Sequence, residues 1–276
     1  DLVNGKENLK NLKRFDFPKD KTLIAGIVNG RNVWRTDIKE ALKLIEELYK
    51  YTDKLVISNA SPLYHLPYSL DGEKLDARLL NKLAFAEERL YELKLISDAY
   101  KGQTKEAEEW NKGLKVDFGA DPKVKEKIRS LKSEDFIKSP PYRERAKLQR
   151  KILSLPPLPT TTIGSYPQTE EIREKRASFR AKKISQEEYT KFIREKISEL
   201  IKFQEEVGLD VLVHGEYERT DMVEFFAEKL EGIATTSQGF VISYGSRVYR
   251  PPIIYGDISR REPMTIAKCI ALLAMV

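Results

Sequence analysis

The stretch "TLIAGIVNG", residues 22–30, is a continuous apolar run that ends in Asn-Gly. Such a run is typical of a strand that is buried on both faces, as in a parallel sheet. Residues 36–51, "TDIKEALKLIEELYKY", then place apolar residues along one helical stripe, and residues 54–59, "KLVISN", form another short apolar run. A second helix is predicted over residues 76–100. This order of strand, helix, strand and helix predicts an α/β fold with a parallel sheet.

The second half of the chain repeats this pattern. "TTTIGS", residues 160–165, and "DVLVHGE", residues 210–216, are predicted to be strands. The helix between them begins with Ser185 and Glu188, which have the spacing of a capping box, and Gly208 is expected to end it. The two halves are therefore expected to be separate but similar α/β elements.

The predicted domain organisation has three parts. Residues 1–103 form the first α/β part, residues 104–158 a polar and partly helical connector that ends near several prolines, and residues 159–276 the second part. A complete (β/α)₈ barrel needs about 250 residues. Two complete barrels do not fit in 276 residues, so each half is either a smaller doubly wound sheet or part of a barrel.

Composition narrows the functional class. The net charge is +6, but acidic and basic residues are interspersed, which argues against a nucleic-acid interface. The single cysteine, Cys269, excludes an internal disulfide and predicts a reducing, cytoplasmic location. No apolar run is long enough to span a membrane, so no membrane partner is predicted.

Small and polar residues follow the two predicted strands of the second half. Ligands of α/β folds bind at the carboxyl ends of parallel strands. Gly164 lets the backbone approach a ligand, Ser165 offers a hydroxyl beside backbone N–H groups for a carboxylate, and Glu216 can receive an ammonium group. These residues could hold the zwitterionic end of an amino acid. The alternative is that they form an ordinary turn and a helix-capping acid.

A second candidate site lies in "YGSRVYRPP", residues 244–252. Arg247 and Arg250 occur there among tyrosines, and arginine with aromatic rings suits a planar, anionic ligand such as a folate. The alternative is an ordinary basic loop.

Metal ligands are sparse. His65, His214 and Cys269 are the only histidines and cysteine, and they show no metal-type spacing. We therefore assign no metal ligand in this chain and interpret His214 as a structural histidine.

Several long motifs resemble one enzyme family. Residues 158–176, 208–232 and 244–265 closely resemble the opening of the C-terminal domain of the cobalamin-independent methionine synthases. Residues 23–38 and 75–93 look like the end of that family's N-terminal domain. The resemblance covers nearly all of residues 1–265 and is weaker in the connector.

The resemblance implies a fold and a reaction. Members of this family consist of two (β/α)₈ TIM barrels, so the chain is expected to hold parts of both. They transfer a methyl group from methyltetrahydrofolate polyglutamate to homocysteine, which gives methionine. By position, the resemblance assigns homocysteine binding to Ile163, Gly164, Ser165 and Glu216.

The folate contacts are assigned in the same way to Arg247 and Val248. Valine departs from the family pattern at the second position, and a contact through the backbone would tolerate that change. The opening of the first barrel, which carries further folate contacts in the family, is not in this chain.

The resemblance also implies zinc, which binds the homocysteine sulfur and favours its thiolate. The family's zinc ligands and general acid lie downstream of the matched region, so we expect this chain to be an internal fragment that is inactive by itself. The tail after Thr265, "IAKCIALLAMV", does not follow the family's usual continuation. The alternative function is a non-catalytic module that dimerises through exposed barrel edges.

Overall fold

The structure is a computed structural model that describes residues 1–5 and 7–265. The atypical tail after Thr265, with Cys269, lies outside the described residues. The chain divides into two compact units. The first unit comprises Asp1–Ala120 and Leu230–Ser259, and the second comprises Asp121–Lys229 and the described residues from Arg260 onward. The domain boundaries predicted from the sequence stay a prediction.

The helices and strands alternate at the start of the chain and become mainly helical in its middle. The first unit contains α1 (Glu7–Arg14), β1 (Leu23–Val28), α2 (Ile38–Leu48), β2 (Leu55–Asn59), α3 (Ala77–Leu80), α4 (Ala86–Tyr100) and α5 (Lys105–Lys112). The second unit contains α6 (Pro122–Ser130), α7 (Tyr142–Leu153), α8 (Glu170–Arg180), α9 (Gln186–Val207) and α10 (Met222–Ala227). The later strands are β3 (Leu230–Ala234), β4 (Val241–Tyr244), β5 (Arg247–Tyr249) and β6 (Ile253–Arg260).

Strands β1 and β2 pair in parallel, which confirms the strand-helix-strand order predicted for this region. Ala25 and Ile27 face the buried stripes of α2 and α4 and form the main core of the first unit. On the other face of the sheet, the register partners Ile24 and Val56 are 67% and 48% exposed. The described residues form only two-stranded sheets, so they contain no closed barrel.

The prediction of one helix over residues 76–100 is wrong, because the chain leaves the helix between α3 and α4. The backbone there pairs with the segment after β1: the N–H of Arg35 donates to the Lys82 carbonyl at 2.9 Å, and the N–H of Ala84 to the Val33 carbonyl at 2.8 Å. Phe85 fills a core site next to this pairing and is fully buried. Tertiary pairing therefore overrides the local helix preference.

A second apolar cluster joins distant parts of the first unit. Leu79, Leu83 and Phe85 pack with Ile253 of β6, and the Phe118 ring meets the Tyr255 ring edge-to-face with 4.9 Å between centroids. Strands β3 and β6 form the two-stranded sheet beside this cluster. Residues 230–259 are thus packed against the N-terminal half of the chain.

A buried ion pair holds the loop that follows β1. Arg89 and Glu92 on α4 are both fully buried, and their side chains meet at 2.7 Å. Arg89 also donates to the carbonyl of Trp34 at 2.6 Å, while Glu92 accepts from the N–H of Thr36 at 2.6 Å. Backbone groups and the opposite charge engage both oxygens of Glu92 and both terminal nitrogens of Arg89, while Nε of Arg89 is buried without a partner among the described residues. The pair thereby fixes the loop at the carboxyl end of β1.

In the second unit, α9 agrees with its predicted boundaries. Ser185 accepts from the N–H of Glu188 at 3.1 Å and Glu188 accepts from the N–H of Ser185 at 2.9 Å, which is the expected capping box. Gly208 ends the helix in the left-handed conformation, with φ of 82°. No helix within the described residues combines the length and apolar character needed to cross a membrane.

Residues 160–165 and 210–216 were predicted as strands, and regular strands do not form there. The two segments do run side by side, since the N–H of Val211 donates to the Thr160 carbonyl at 3.0 Å. A side chain replaces the next backbone partner: Asp210 accepts from the N–H and the hydroxyl of Thr160 at 2.7 and 2.8 Å. These hydrogen bonds lower the pKa of Asp210 and interrupt the sheet ladder.

Candidate functional site

The two interrupted segments of the second unit meet at their carboxyl ends. Ser165 and Gly215 form an isolated parallel bridge, and the N–H of Tyr166 donates to the Gly215 carbonyl at 3.0 Å. A Cβ atom placed on Gly164 would lie 3.8 Å from Oε1 of Glu216. The structure thus brings together the four residues assigned to homocysteine, including Ile163, which is 95% exposed.

The backbone of this turn is unusual. Gly164 and Gly215 have φ of 115° and 82°, which glycine adopts without strain. A Cβ on Gly215 would also lie 2.3 Å from Leu200 Cδ2, so a larger residue there would force the Leu200 side chain to move. Glu216 itself has φ of 58°, a left-handed conformation that costs a non-glycine residue about 1 kcal/mol or more. The surrounding structure therefore holds Glu216 in a strained conformation.

One oxygen of the Glu216 carboxylate is occupied and the other is available. Oε1 accepts from Nη1 of Arg219 at 3.0 Å, and Oε2 has no hydrogen-bond partner among the described residues. The Arg219 guanidinium lies over the rings of Phe225 and Phe226, at 4.9 and 5.3 Å from their centroids. Arg219 thus fixes the direction of the carboxylate, whose side chain is 26% exposed and open to a ligand cation.

His214 supports the same turn. Its Nδ1 accepts from the N–H of Glu216 at 3.2 Å, so Nε2 carries the proton and donates to Glu218 at 3.1 Å. Both ring nitrogens are engaged within the chain, and this geometry suits the structural interpretation of His214.

The sequence reasoning missed the residues that hold this turn from behind. Gln204 of α9 is fully buried; its Nε2 donates to the Val213 carbonyl at 2.7 Å and its Oε1 accepts from the Val213 N–H at 2.9 Å. Arg176 of α8 donates to the Tyr217 carbonyl at 2.6 Å. A glutamine on the same helical stripe as Leu200 and Ile201 is the sequence signal that could have revealed Gln204.

Replacing Gln204 by leucine is expected to destabilise the second unit by roughly 2–4 kcal/mol, because two part-buried backbone groups of Val213 lose their partners. Urea unfolding followed by circular dichroism measures the change. Gln186→Leu on the same helix is the control, since Gln186 is exposed and bonds only to Thr190 among the described residues. Equal shifts in the two variants would show that Gln204 does not hold the turn.

The predicted folate residues lie in the first unit. Arg247 and Val248 are exposed on β5, which pairs antiparallel with β4, and Val248 is opposite Ile242. The residues assigned to homocysteine belong to the second unit. The residues assigned to folate and those assigned to homocysteine therefore belong to different compact units.

The described residues do not fit a zinc site. Within residues 1–5 and 7–265, no three His, Cys, Asp or Glu side chains are grouped as a metal ion requires. His65 lies in a short 3₁₀ turn of the first unit and His214 in the second. Consequently no reaction step through zinc follows from these side chains.

Comparison with known families matches two regions of the chain. Residues 158–274 match the family model described as "Cobalamin-independent synthase, Catalytic domain". Residues 1–53 match the model described as "Cobalamin-independent synthase, N-terminal domain". The two matched regions lie in the same order as the resemblance implies.

Curated relatives match nearly the whole chain. A 5-methyltetrahydropteroyltriglutamate–homocysteine methyltransferase of Thermotoga sp. is 52% identical over 267 residues, which are 96% of this chain and 35% of the relative. The enzyme of the same name from Thermodesulfovibrio yellowstonii is 47% identical over 98% of the chain and 36% of its own length. The chain thus spans about a third of these relatives, and the two family matches with this identity show that it belongs to the cobalamin-independent methionine synthase family.

Proposed function

We propose that this chain supplies substrate-binding residues to a longer enzyme that transfers a methyl group from 5-methyltetrahydropteroyltriglutamate to homocysteine. The names of the curated relatives support these substrates. The observation that carries the proposal is the Glu216 carboxylate next to the Gly164 turn: Arg219 holds its Oε1, and its Oε2 has no hydrogen-bond partner among the described residues. A ligand ammonium donates to Oε2 while Arg219 retains Oε1.

The opposite end of the amino acid is held by the turn itself. The carboxylate of homocysteine accepts from the hydroxyl of Ser165 and from the exposed backbone near Gly164. This fixes the amino-acid head, so that the thiol end is directed to the methyl donor. The folate is held by the Arg247 guanidinium and by the Val248 backbone.

The reaction moves one methyl group and one proton. The homocysteine thiol loses its proton, and its sulfur forms a bond to the methyl carbon as the carbon–nitrogen bond of the folate breaks. The folate nitrogen takes up a proton, so that one proton is lost and one is gained. Zinc, as the family resemblance implies, would supply a stabilised thiolate. The part of this chain that the structure describes contributes binding and orientation.

The fold at full length is proposed to consist of two (β/α)₈ barrels. The parallel β1–β2 pair with helices on one face supports this for the first unit. The parallel bridge between Ser165 and Gly215 supports it for the second. We also propose a cytoplasmic location, based on the single cysteine.

Methionine formation tests the proposal directly. An enzyme of the relatives' full length that carries this sequence is incubated with zinc, homocysteine and 5-methyltetrahydropteroyltriglutamate, and methionine is measured by mass spectrometry. We expect methionine only when both substrates are present, and none from the 276-residue chain alone. A folded, zinc-loaded enzyme that makes no methionine would refute the proposal.

Dimerisation through exposed edges stays a prediction. The open edges of the β1–β2 pair and the exposed Ile24 and Val56 favour association with further strands. These strands can come from the rest of a barrel as well as from a second copy.

A further inference from the structure

The hairpin that carries Arg247 and Val248 is poorly supported by its own residues. We name residues 241–249 the folate hairpin. Its strands β4 and β5 are short, and Val241 is buried while Ile242 and Tyr244 are exposed. A two-stranded hairpin alone is marginally stable in water. Its orientation must therefore be set by groups outside it.

A buried carboxylate holds the segment that leads into the folate hairpin. Glu73 is 9% exposed, and its two oxygens accept from two consecutive backbone N–H groups. Ser237 donates to Oε2 at 2.6 Å and Gln238 donates to Oε1 at 2.8 Å. Both oxygens are thus used to fix the backbone just before β4.

The segment that leaves the folate hairpin is tied to the same place. Arg250, directly after β5, donates through Nη1 to the Thr236 carbonyl at 2.8 Å, and its guanidinium lies 5.6 Å from the centroid of the Phe240 ring. Thr236 is buried and precedes the Glu73-bound segment. The two ends of the folate hairpin are therefore joined at the point that Glu73 anchors.

We propose that Glu73 is a positioning residue that fixes the folate hairpin and, through it, the Arg247 guanidinium against the methyl donor. The inference rests on the proposed function of Arg247 and Val248. Glu73 acts through the backbone of residues 237–238 and not by touching a substrate.

Because the Glu73 carboxylate only accepts hydrogen bonds from its two partners, glutamine is an informative replacement. Both partners of Glu73 are N–H donors, so the carboxylate supplies two acceptors in the correct directions. The amide of glutamine keeps one acceptor and turns an NH₂ group toward the other N–H. Glu73→Gln therefore removes one hydrogen bond and adds a donor–donor contact at nearly constant volume.

Hydrogen exchange of the full-length enzyme tests the anchoring. We expect Glu73→Gln to speed the exchange of amides in residues 237–244 by about ten-fold, while α4 keeps its protection. Glu46→Gln is the control, because Glu46 is an exposed glutamate on α2 of the same unit. Unchanged exchange in residues 237–244 would overturn the proposal, and loss of protection in α4 as well would show general unfolding instead of a local anchor.

Steady-state kinetics tests the positioning. We expect Glu73→Gln to raise KM for 5-methyltetrahydropteroyltriglutamate by about ten-fold and KM for homocysteine by less than about two-fold. Glu73→Asp, which keeps the carboxylate, should recover part of the folate KM. Equal increases in both KM values, or an unchanged folate KM, would overturn the positioning role.

Arg247→Ala separates this inference from the proposed function. If Arg247→Ala leaves the folate KM unchanged while Glu73→Gln raises it, the assignment of Arg247 is wrong and the anchor holds another folate contact. If Arg247→Ala raises the folate KM and Glu73→Gln does not, the assignment stands and the proposed role of Glu73 is wrong.

Discussion

Replacement of Glu216 by alanine is expected to weaken homocysteine binding roughly 100-fold, which is about 2.7 kcal/mol. The ligand ammonium would lose its carboxylate partner. The Arg219 guanidinium, which contacts Oε1 at 3.0 Å, would keep its other carboxylate partner, Glu218 at 3.4 Å, but would repel the ligand cation more strongly. Both effects act against a cationic group in a partly enclosed site.

Glu216→Gln sharpens the same test, because it preserves the size of the side chain. If the amide oxygen stays with Arg219, the NH₂ group faces the ligand ammonium and offers it no acceptor. We therefore expect glutamine to be nearly as damaging as alanine. Titration calorimetry of homocysteine against the full-length enzyme measures both variants.

The control for this test is Glu228→Gln, an exposed glutamate just beyond α10 in the same unit. It should leave homocysteine affinity unchanged. Wild-type affinity in Glu216→Ala would contradict the proposed role. Equal losses in the Glu216 and Glu228 variants would point to general charge effects.

The largest expected effect on stability comes from Arg89→Met. Breaking a fully buried ion pair leaves the other charge without compensation and typically costs about 3–5 kcal/mol. Here Glu92 would remain buried beside the apolar core, and the Trp34 carbonyl would lose a donor at 2.6 Å. We expect the first unit to unfold at a clearly lower urea concentration.

Tryptophan fluorescence reports this transition, because Trp34 and Trp110 both belong to the first unit and are the only tryptophans of the chain. Arg78→Met is the matched control, since Arg78 also pairs with a carboxylate, Asp76 at 2.9 Å, but its side chain is 64% exposed. The control should change the midpoint little, because water compensates for an exposed partner.

A double variant, Arg89→Met with Glu92→Leu, identifies the source of the loss. Removal of both charges should recover part of the stability lost in Arg89→Met, because no uncompensated charge remains buried. Equal decreases of the urea midpoint in Arg89→Met and Arg78→Met would show that burial of the Arg89–Glu92 pair contributes nothing to the stability of the first unit.

Local sequence patterns predicted the structure correctly wherever tertiary contacts did not override them. The apolar runs around β1 and β2 and the caps of α9 were sufficient to predict parallel strands and a long helix. The break before α4 was not predictable, because it depends on backbone pairing with residues 33–35. The strand ladders at 160–165 and 210–216 failed because side chains took the backbone partners.

The ligand-facing residues were easier to predict than their supports. Glu216 and Gly164 follow apolar runs, which marks them as strand-end residues. Arg89 and Glu92 were not singled out from the sequence, although they lie on the same stripe as the buried Ile96 and Ala99. Two opposite charges three residues apart on an apolar stripe are the signal for a buried pair.

The first unit is built from two distant stretches of the chain, so its core cannot be completed until the second stretch has been synthesised. Glu73 and Gln238 are 165 residues apart along the chain, and the cluster around Phe85 is completed by Ile253. During synthesis, the residues around Glu73 and Phe85 therefore leave the ribosome well before Gln238 and Ile253, which complete this core, are made. During that interval Leu79, Leu83 and Phe85 are exposed to solvent, and a nascent chain in that state is a substrate for chaperones that bind apolar segments.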